Sequence, residues 1–133
     1  KVVLVVEDED YWFNGYIKAL KDSSLTFDRA ITPPEAIEKV RNNPNLYDLI
    51  LVDLIFPTNE GFNKRVLPLI RDLRDIAINT PIIAMTKEDK ITSVKQALEY
   101  GAQDYLIKKN FDPEIWGKRI MNYIQMKRAN IKL

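Results

Sequence analysis

The chain of 133 residues contains neither cysteine nor histidine. The absence of cysteine excludes disulfides and thiol chemistry, and it is compatible with a cytoplasmic protein. The absence of histidine excludes histidine-based catalytic triads, the commonest zinc ligands and a phosphohistidine carried by this chain. We therefore expect neither a zinc site nor a thiol enzyme, and a cytoplasmic location.

The sequence also lacks a large net charge and long apolar runs. Its formal net charge is +1, so the overall balance gives no reason to expect direct binding to nucleic acid or to a membrane. The longest apolar stretches have the length of strands, which predicts neither a signal peptide nor a transmembrane helix. The length fits one domain over residues 1–133. The first residue, Lys1, is compatible with a piece of a longer protein.

Two short apolar runs end in carboxylates. The first, Val2–Val6, leads into Glu7 and Asp8, and the second, Leu49–Val52, leads into Asp53. Runs of this length that are rich in β-branched residues predict strands buried on both faces of a sheet.

Along the whole chain the spacing of apolar residues alternates between that of a strand and that of a helix. It predicts five strands alternating with five helices, which is typical of a doubly wound α/β domain. The second and fifth strands carry the most polar residues and should be the edges. This favours a flavodoxin-like parallel sheet of order 2-1-3-4-5, with a crevice between the first and third strands.

The three carboxylates would meet at that crevice, where they would repel one another without a cation. Oxygen ligands without histidine or cysteine favour Mg²⁺. Glu7 and Asp8 also suit the start of the following helix, which favours acidic residues. The spacing of the three carboxylates along the chain favours a binding site at the crevice over helix capping alone.

These motifs resemble the receiver domain of two-component response regulators over essentially the whole chain. The matching features, in order, are the acidic pair Glu7-Asp8, Asp53 in Leu-Val-Asp-Leu-Ile-Phe-Pro, Gly61, Thr86 at the end of the fourth strand, and Gly-Ala-Gln-Asp-Tyr-Leu-Ile-Lys with Tyr105 and Lys108. The resemblance implies that Asp53 accepts a phosphoryl group from a phosphohistidine on a histidine kinase or a histidine phosphotransfer protein. It also implies that the domain assists its own phosphorylation and dephosphorylation. Such a domain is not an enzyme that turns over an external substrate.

The resemblance also implies roles for individual residues. Asp8 and Asp53 would bind Mg²⁺ directly, Glu7 through water, and Ile55 through its backbone carbonyl. Lys108, Thr86 and the backbone N–H of Lys87 would each contact a phosphoryl oxygen. Thr86 and Tyr105 would form a switch that remodels the face made by the fourth helix, fifth strand and fifth helix, through which two copies could also pair. Without the other motifs, the simplest interpretation of Lys108 is a solvated lysine at the end of a strand. The simplest interpretation of Thr86 is a helix cap.

Several positions depart from the family pattern. Phe56 stands where methionine is usual, and Lys87 replaces a small residue and could screen the phosphoryl group from water. Lys109 replaces a proline that commonly follows a cis bond, which costs roughly 2.5–4 kcal/mol without proline, so the orientation of Lys108 is less secure. Pro68 predicts an extended loop after Pro57 or a kink in the third helix.

Two alternative functions remain open at this stage. One is a receiver-like interaction module that is not phosphorylated. The other is a haloacid-dehalogenase-like phosphatase, because Asp8-Glu9-Asp10 resembles the nucleophile motif of that family with Asp8 as nucleophile. Against the phosphatase, Tyr11 and Trp12 follow where a small residue is expected, and the chain is short for that fold and its cap domain.

Overall fold

The computed structural model of the chain describes residues 1–54, 63–87 and 91–129, and it describes no side chains for residues 63–66 and 91–93. Five strands and five helices alternate within these ranges. The strands are β1 (Val2–Val6), β2 (Thr26–Ala30), β3 (Leu49–Asp53), β4 (Ile82–Thr86) and β5 (Asp104–Ile107). The helices are α1 (Asp10–Gly15), α2 (Pro33–Asn42), α3 (Asn63–Ile76), α4 (Ile91–Tyr100) and α5 (Pro113–Arg128).

All strand pairs are parallel, and the strand order is β2-β1-β3-β4-β5. This confirms the predicted flavodoxin-like architecture. The central strands β3 and β4 are buried along their whole length, whereas β2 and β5 are mostly half-buried. The edge assignment made from polar interruptions therefore also holds.

Alternate residues of each strand point into two separate cores. One core lies under α2, α3 and α4 and includes Leu4, Ile50 and Ala84. The other lies under α1 and α5 and includes Val5, Leu51 and Met85. Because side chains alternate along a strand, continuously apolar strands are what a sheet covered on both faces requires.

The first helix is shorter than the apolar spacing predicts. Phe13, Tyr16, Ile17 and Leu20 recur at helical spacing in the sequence, but α1 ends at Gly15 and a single 3-10 turn follows over Ile17–Ala19. Glycine is a poor helix former. Phe13, Ile17 and Leu20 are still buried, so the break keeps the apolar face in the core.

The third helix runs through Pro68. The helix begins at Asn63, and the loop after Pro57, for which an extended course was the other expectation, lies outside the described residues. The proline cannot donate a backbone hydrogen bond to the preceding turn, but its own side chain is exposed. Leu69, Ile70 and Leu73 bury almost all of their surface, and such packing supplies most of the stability of helices in proteins.

Gly101 follows directly after α4, which ends at Tyr100. Its φ angle is 125°, in the region that residues with a side chain rarely adopt. A Cβ at this position would also lie 3.2 Å from side-chain carbons of Arg74. The guanidinium of Arg74 in turn donates hydrogen bonds to the carbonyl of Gly101 and to the side chain of Gln103, which fixes the chain as it enters β5.

Candidate functional site

The acidic residues predicted from the sequence meet at the carboxyl ends of β1 and β3. One carboxylate oxygen from each of Glu7, Asp8 and Asp53 lies within 4.8 Å of the other two. Glu7 and Asp53 are buried, whereas Asp8 is half-buried. The crevice of the sheet therefore carries a compact group of carboxylates that is accessible from one side.

Lys108 brings positive charge to this group from the end of β5. Its Nζ atom lies 2.7 Å from Oε1 of Glu7 and 3.2 Å from Oδ2 of Asp53. The bond between Lys108 and Lys109 is trans, because no cis peptide bond occurs in the described part of the chain. The lysine reaches the carboxylates although the usual proline is missing.

Charge in the crevice is nevertheless unbalanced. Burial, and next the neighbouring Asp53, raise the pKa of Glu7 from 4.5 to about 8, although Lys108 acts in the opposite direction. One ammonium group thus does not compensate the acidic residues around it. Three carboxylates and no soft ligand form a donor set suited to a small hard cation such as Mg²⁺.

The remaining predicted residues occupy different positions around the crevice. Thr86 is buried at the end of β4. Lys87 is exposed and lines a cleft of about 570 Å³ together with Asp53 and Lys108. Tyr105 is half-buried and packs against the core under α2, α3 and α4. Ile55, Phe56 and Gly61 lie outside the described residues.

The loop that follows β1 is held by an arginine that the sequence did not single out. Arg29 on β2 donates a hydrogen bond from Nε to the carbonyl of Glu7 at 2.9 Å and from Nη1 to Asp10 at 2.6 Å. The carboxylate of Asp10 is thus engaged by Arg29, away from the acidic group.

An aromatic wall beside the crevice was also missed. The cleft is lined by Tyr11, Trp12, Tyr16 and Phe111 in addition to its lysines. Sequence reasoning used Trp12 only as an argument against a phosphatase. No motif connects residues 12 and 111, and their proximity arises from the packing of α1 against the turn after β5.

A match to one known family decides which class of protein this chain belongs to. Residues 3–125 match the response regulator receiver domain family. The chain belongs to that family. Its relatives include transcriptional regulatory proteins and two-component response regulators. The phosphatase alternative therefore loses its support.

Relatives and solved structures agree with this assignment. The chain is 30% identical over 106 residues to the transcriptional regulatory protein DltR of Streptococcus agalactiae, covering 80% of the chain and 44% of that protein. It is 36% identical over 113 residues to the transcriptional regulatory protein CiaR of Streptococcus pneumoniae, covering 85% of the chain and 47% of that protein. The chain thus spans less than half the length of these relatives.

Among solved structures, a two-component response regulator from Clostridium difficile is 26% identical, with a TM-score of 0.78 and coverage of 94% of this chain and 96% of that one. A CheY-like receiver domain protein from Methanospirillum hungatei has a TM-score of 0.81 at 18% identity and covers 98% of both chains. The latter likeness supports the fold alone. None of the described helices is long and apolar enough to cross a lipid bilayer.

Proposed function

We propose that Asp53 accepts a phosphoryl group from a phosphohistidine on a histidine kinase or a histidine phosphotransfer protein, with Mg²⁺ as cofactor. The observation that carries the proposal is the meeting of Asp53 with Glu7, Asp8 and Lys108 in one crevice. In this reaction the phosphorus–nitrogen bond of the donor breaks and an acyl phosphate forms on Asp53. The donor histidine leaves as an imidazole. We propose that residues 1–133 act in the cytoplasm as one such domain.

The residues around Asp53 have complementary roles in the proposal. Asp8 and Asp53 would hold Mg²⁺ directly, Glu7 through water, and the backbone carbonyl of Ile55 would complete the protein ligands. A bound Mg²⁺ would supply charge stabilisation for the phosphoryl oxygens, which dominates catalysis of phosphoryl transfer. Lys108 would neutralise another oxygen as a point charge.

Two donors on β4 and its continuation complete the phosphoryl site. The hydroxyl of Thr86 would donate a hydrogen bond to one oxygen, and the backbone N–H of Lys87 to another. Both residues lie at the carboxyl ends of the strands, as Asp53 does, because β3 and β4 are parallel neighbours and Asp53 pairs with Met85.

The response to phosphorylation would pass through Thr86 and Tyr105. Phosphorylation adds roughly two negative charges and strong acceptors at Asp53, towards which Thr86 would move. Tyr105 pairs with Ala84, two residues before Thr86 on the same side of the sheet, so it borders the space that this movement opens. Arg119 of α5 donates a hydrogen bond to the carbonyl of Tyr105 at 3.1 Å, which links the switch to the face formed by α4, β5 and α5. We include in the proposal that two copies pair through this face.

Intact-mass analysis tests the acceptor chemistry. With Mg²⁺ and acetyl phosphate, the wild-type chain should gain one phosphoryl group, and Asp53→Asn should gain none. Asp8→Asn serves as a metal-site control that should slow the reaction but leave the same acceptor. Labelling that persists in Asp53→Asn would contradict the assignment, and a wild-type chain that neither binds Mg²⁺ nor takes phosphate would be an unphosphorylated interaction module.

A further inference from the structure

Trp12 contacts the lysine of the proposed phosphoryl site. The Nζ atom of Lys108 lies 4.7 Å from the centroid of the Trp12 ring, within the range of a cation–π interaction. Trp12 is only 7% exposed, and Lys108 only 11% in its side chain. The contact is therefore largely shielded from water, and cation–π interactions are strongest when they are desolvated.

The indole is held rigidly by other aromatic rings. Tyr16 stacks on it with a centroid distance of 4.5 Å and an interplanar angle of 15°. Phe111 and Trp116 meet it edge-on at 5.5 and 5.7 Å. Because these rings restrict the movement of the indole, the indole can hold a cation in a defined position against its face.

Core packing alone explains a tryptophan at this position poorly. The Nε1 atom of Trp12 is buried, and no group in the described ranges accepts its hydrogen bond. An orphaned buried donor costs free energy, which phenylalanine or leucine would avoid while still filling the core. What the indole offers in exchange is the strongest cation-binding ring face among the side chains.

The other partners of Lys108 are carboxylates that would also bind the metal. Glu7 and Asp53 hold the ammonium group at 2.7 and 3.2 Å. Once these carboxylates share their charge with a divalent ion and a phosphoryl group, their hold on the lysine weakens. The indole is uncharged and does not compete for the metal, so its contact with Lys108 is independent of metal loading.

We propose that Trp12 is a positioning residue that keeps the ammonium group of Lys108 at Asp53 through a cation–π contact during phosphoryl transfer. The inference rests on the proposed function of Asp53 and adds to it a residue on α1 that is not among the proposed ligands of the metal or the phosphoryl group.

Fluorinated tryptophan provides a test that preserves the shape of the side chain. The chain has two tryptophans, so a Trp116→Phe background leaves Trp12 as the only labelled position. Analogues with increasing fluorination weaken the negative face of the ring with little change in volume. The rate of Asp53 phosphorylation by acetyl phosphate should fall progressively, by roughly threefold to tenfold over the series, the range that a partly buried cation–π contact represents. The urea midpoint should fall only slightly across the series, because the same contact also contributes to folding, and every rate is measured where all variants are folded.

The same series in a Lys108→Met background separates positioning from a general structural effect. If Trp12 acts through Lys108, the residual slow rate should not depend on fluorination, because contacting residues are coupled while independent ones add. A slope that persists without the lysine, or a flat series in its presence, would overturn the role of Trp12 while leaving Asp53 as acceptor. A wild-type chain that takes no phosphoryl group would instead refute the proposed function, and with it this role.

Discussion

Replacing Glu7 with glutamine should stabilise the metal-free protein at alkaline pH. Glu7 is 0% exposed, and its pKa is raised from 4.5 to about 8, first by burial and then by Asp53. A carboxyl group with a raised folded-state pKa contributes stability that is fully present below its unfolded pKa. That contribution is lost as the pH rises through the folded pKa. The wild-type protein should therefore lose stability between about pH 4.5 and pH 8.

The raised pKa of Glu7 sets an upper bound on the size of the effect. One pKa unit corresponds to about 1.36 kcal/mol, so the full shift sets an upper bound of about 5 kcal/mol. Glutamine has one carbonyl oxygen, whereas Glu7 accepts from Lys108 at 2.7 Å and from the backbone N–H of Glu9 at 3.2 Å. Losing one of these acceptors costs about 1–2 kcal/mol. We expect a net gain of about 1–3 kcal/mol for Glu7→Gln near pH 8.5.

Urea unfolding of both proteins from pH 5 to pH 8.5, in the presence of a chelator, measures this difference directly. Near pH 5, Glu7→Gln should be no more stable than the wild type, because the electrostatic penalty of Glu7 is then small and the lost acceptor still costs about 1–2 kcal/mol. Glu99, which is exposed on α4, provides the matched control, and Glu99→Gln should show no such dependence on pH. Added Mg²⁺ should stabilise the wild-type protein more than Glu7→Gln. A wild-type protein that gains stability relative to Glu7→Gln as the pH rises would refute the electrostatic description of the crevice.

Three further substitutions test separate parts of the account. Lys87→Ala should shorten the lifetime of the phosphorylated state severalfold, because the long side chain lines the cleft beside the acceptor; an unchanged or longer lifetime would mean that Lys87 does not shield phosphorus from water. Thr86→Ala should still accept phosphate but lose the NMR shift changes over residues 89–108, and changes that survive would show that the signal bypasses Thr86 and Tyr105. Asp28→Asn should destabilise the protein by about 1 kcal/mol at pH 7. Burial by itself raises the pKa of Asp28, but hydrogen bonds, first from the Tyr47 hydroxyl at 2.6 Å, lower it overall. The difference in unfolding free energy should therefore disappear as the pH falls through that lowered pKa, and a difference that persists in acid would contradict this origin.

The sequence was sufficient for the sheet because its strands are buried on both faces. The runs Val2–Val6 and Leu49–Val52 have no polar alternation, as strands buried on both faces of a parallel sheet require. The positions of Glu7, Asp8 and Asp53 then follow from the rule that strand ends converge at the crevice. These parts of the site depend on backbone topology alone.

Other parts of the site depend on side-chain packing between distant segments. The contact between Trp12 and Lys108 joins residues that are 96 positions apart, and local periodicity carries no information about such pairs. The hydrogen bonds of Arg29 to the loop after β1 likewise cross between strands. The short first helix was mispredicted for a related reason, since its apolar residues keep their spacing across the break after Gly15.

The central claim is that the phosphoryl group resides on Asp53 in a reaction that depends on the carboxylate crevice. Borohydride reduces an acyl phosphate on aspartate to homoserine, which marks the modified residue permanently. After incubation with acetyl phosphate and Mg²⁺, peptide sequencing by mass spectrometry should find homoserine at position 53, and chelation of Mg²⁺ should abolish it. Homoserine at position 8 instead, or equal modification without the metal, would contradict the account.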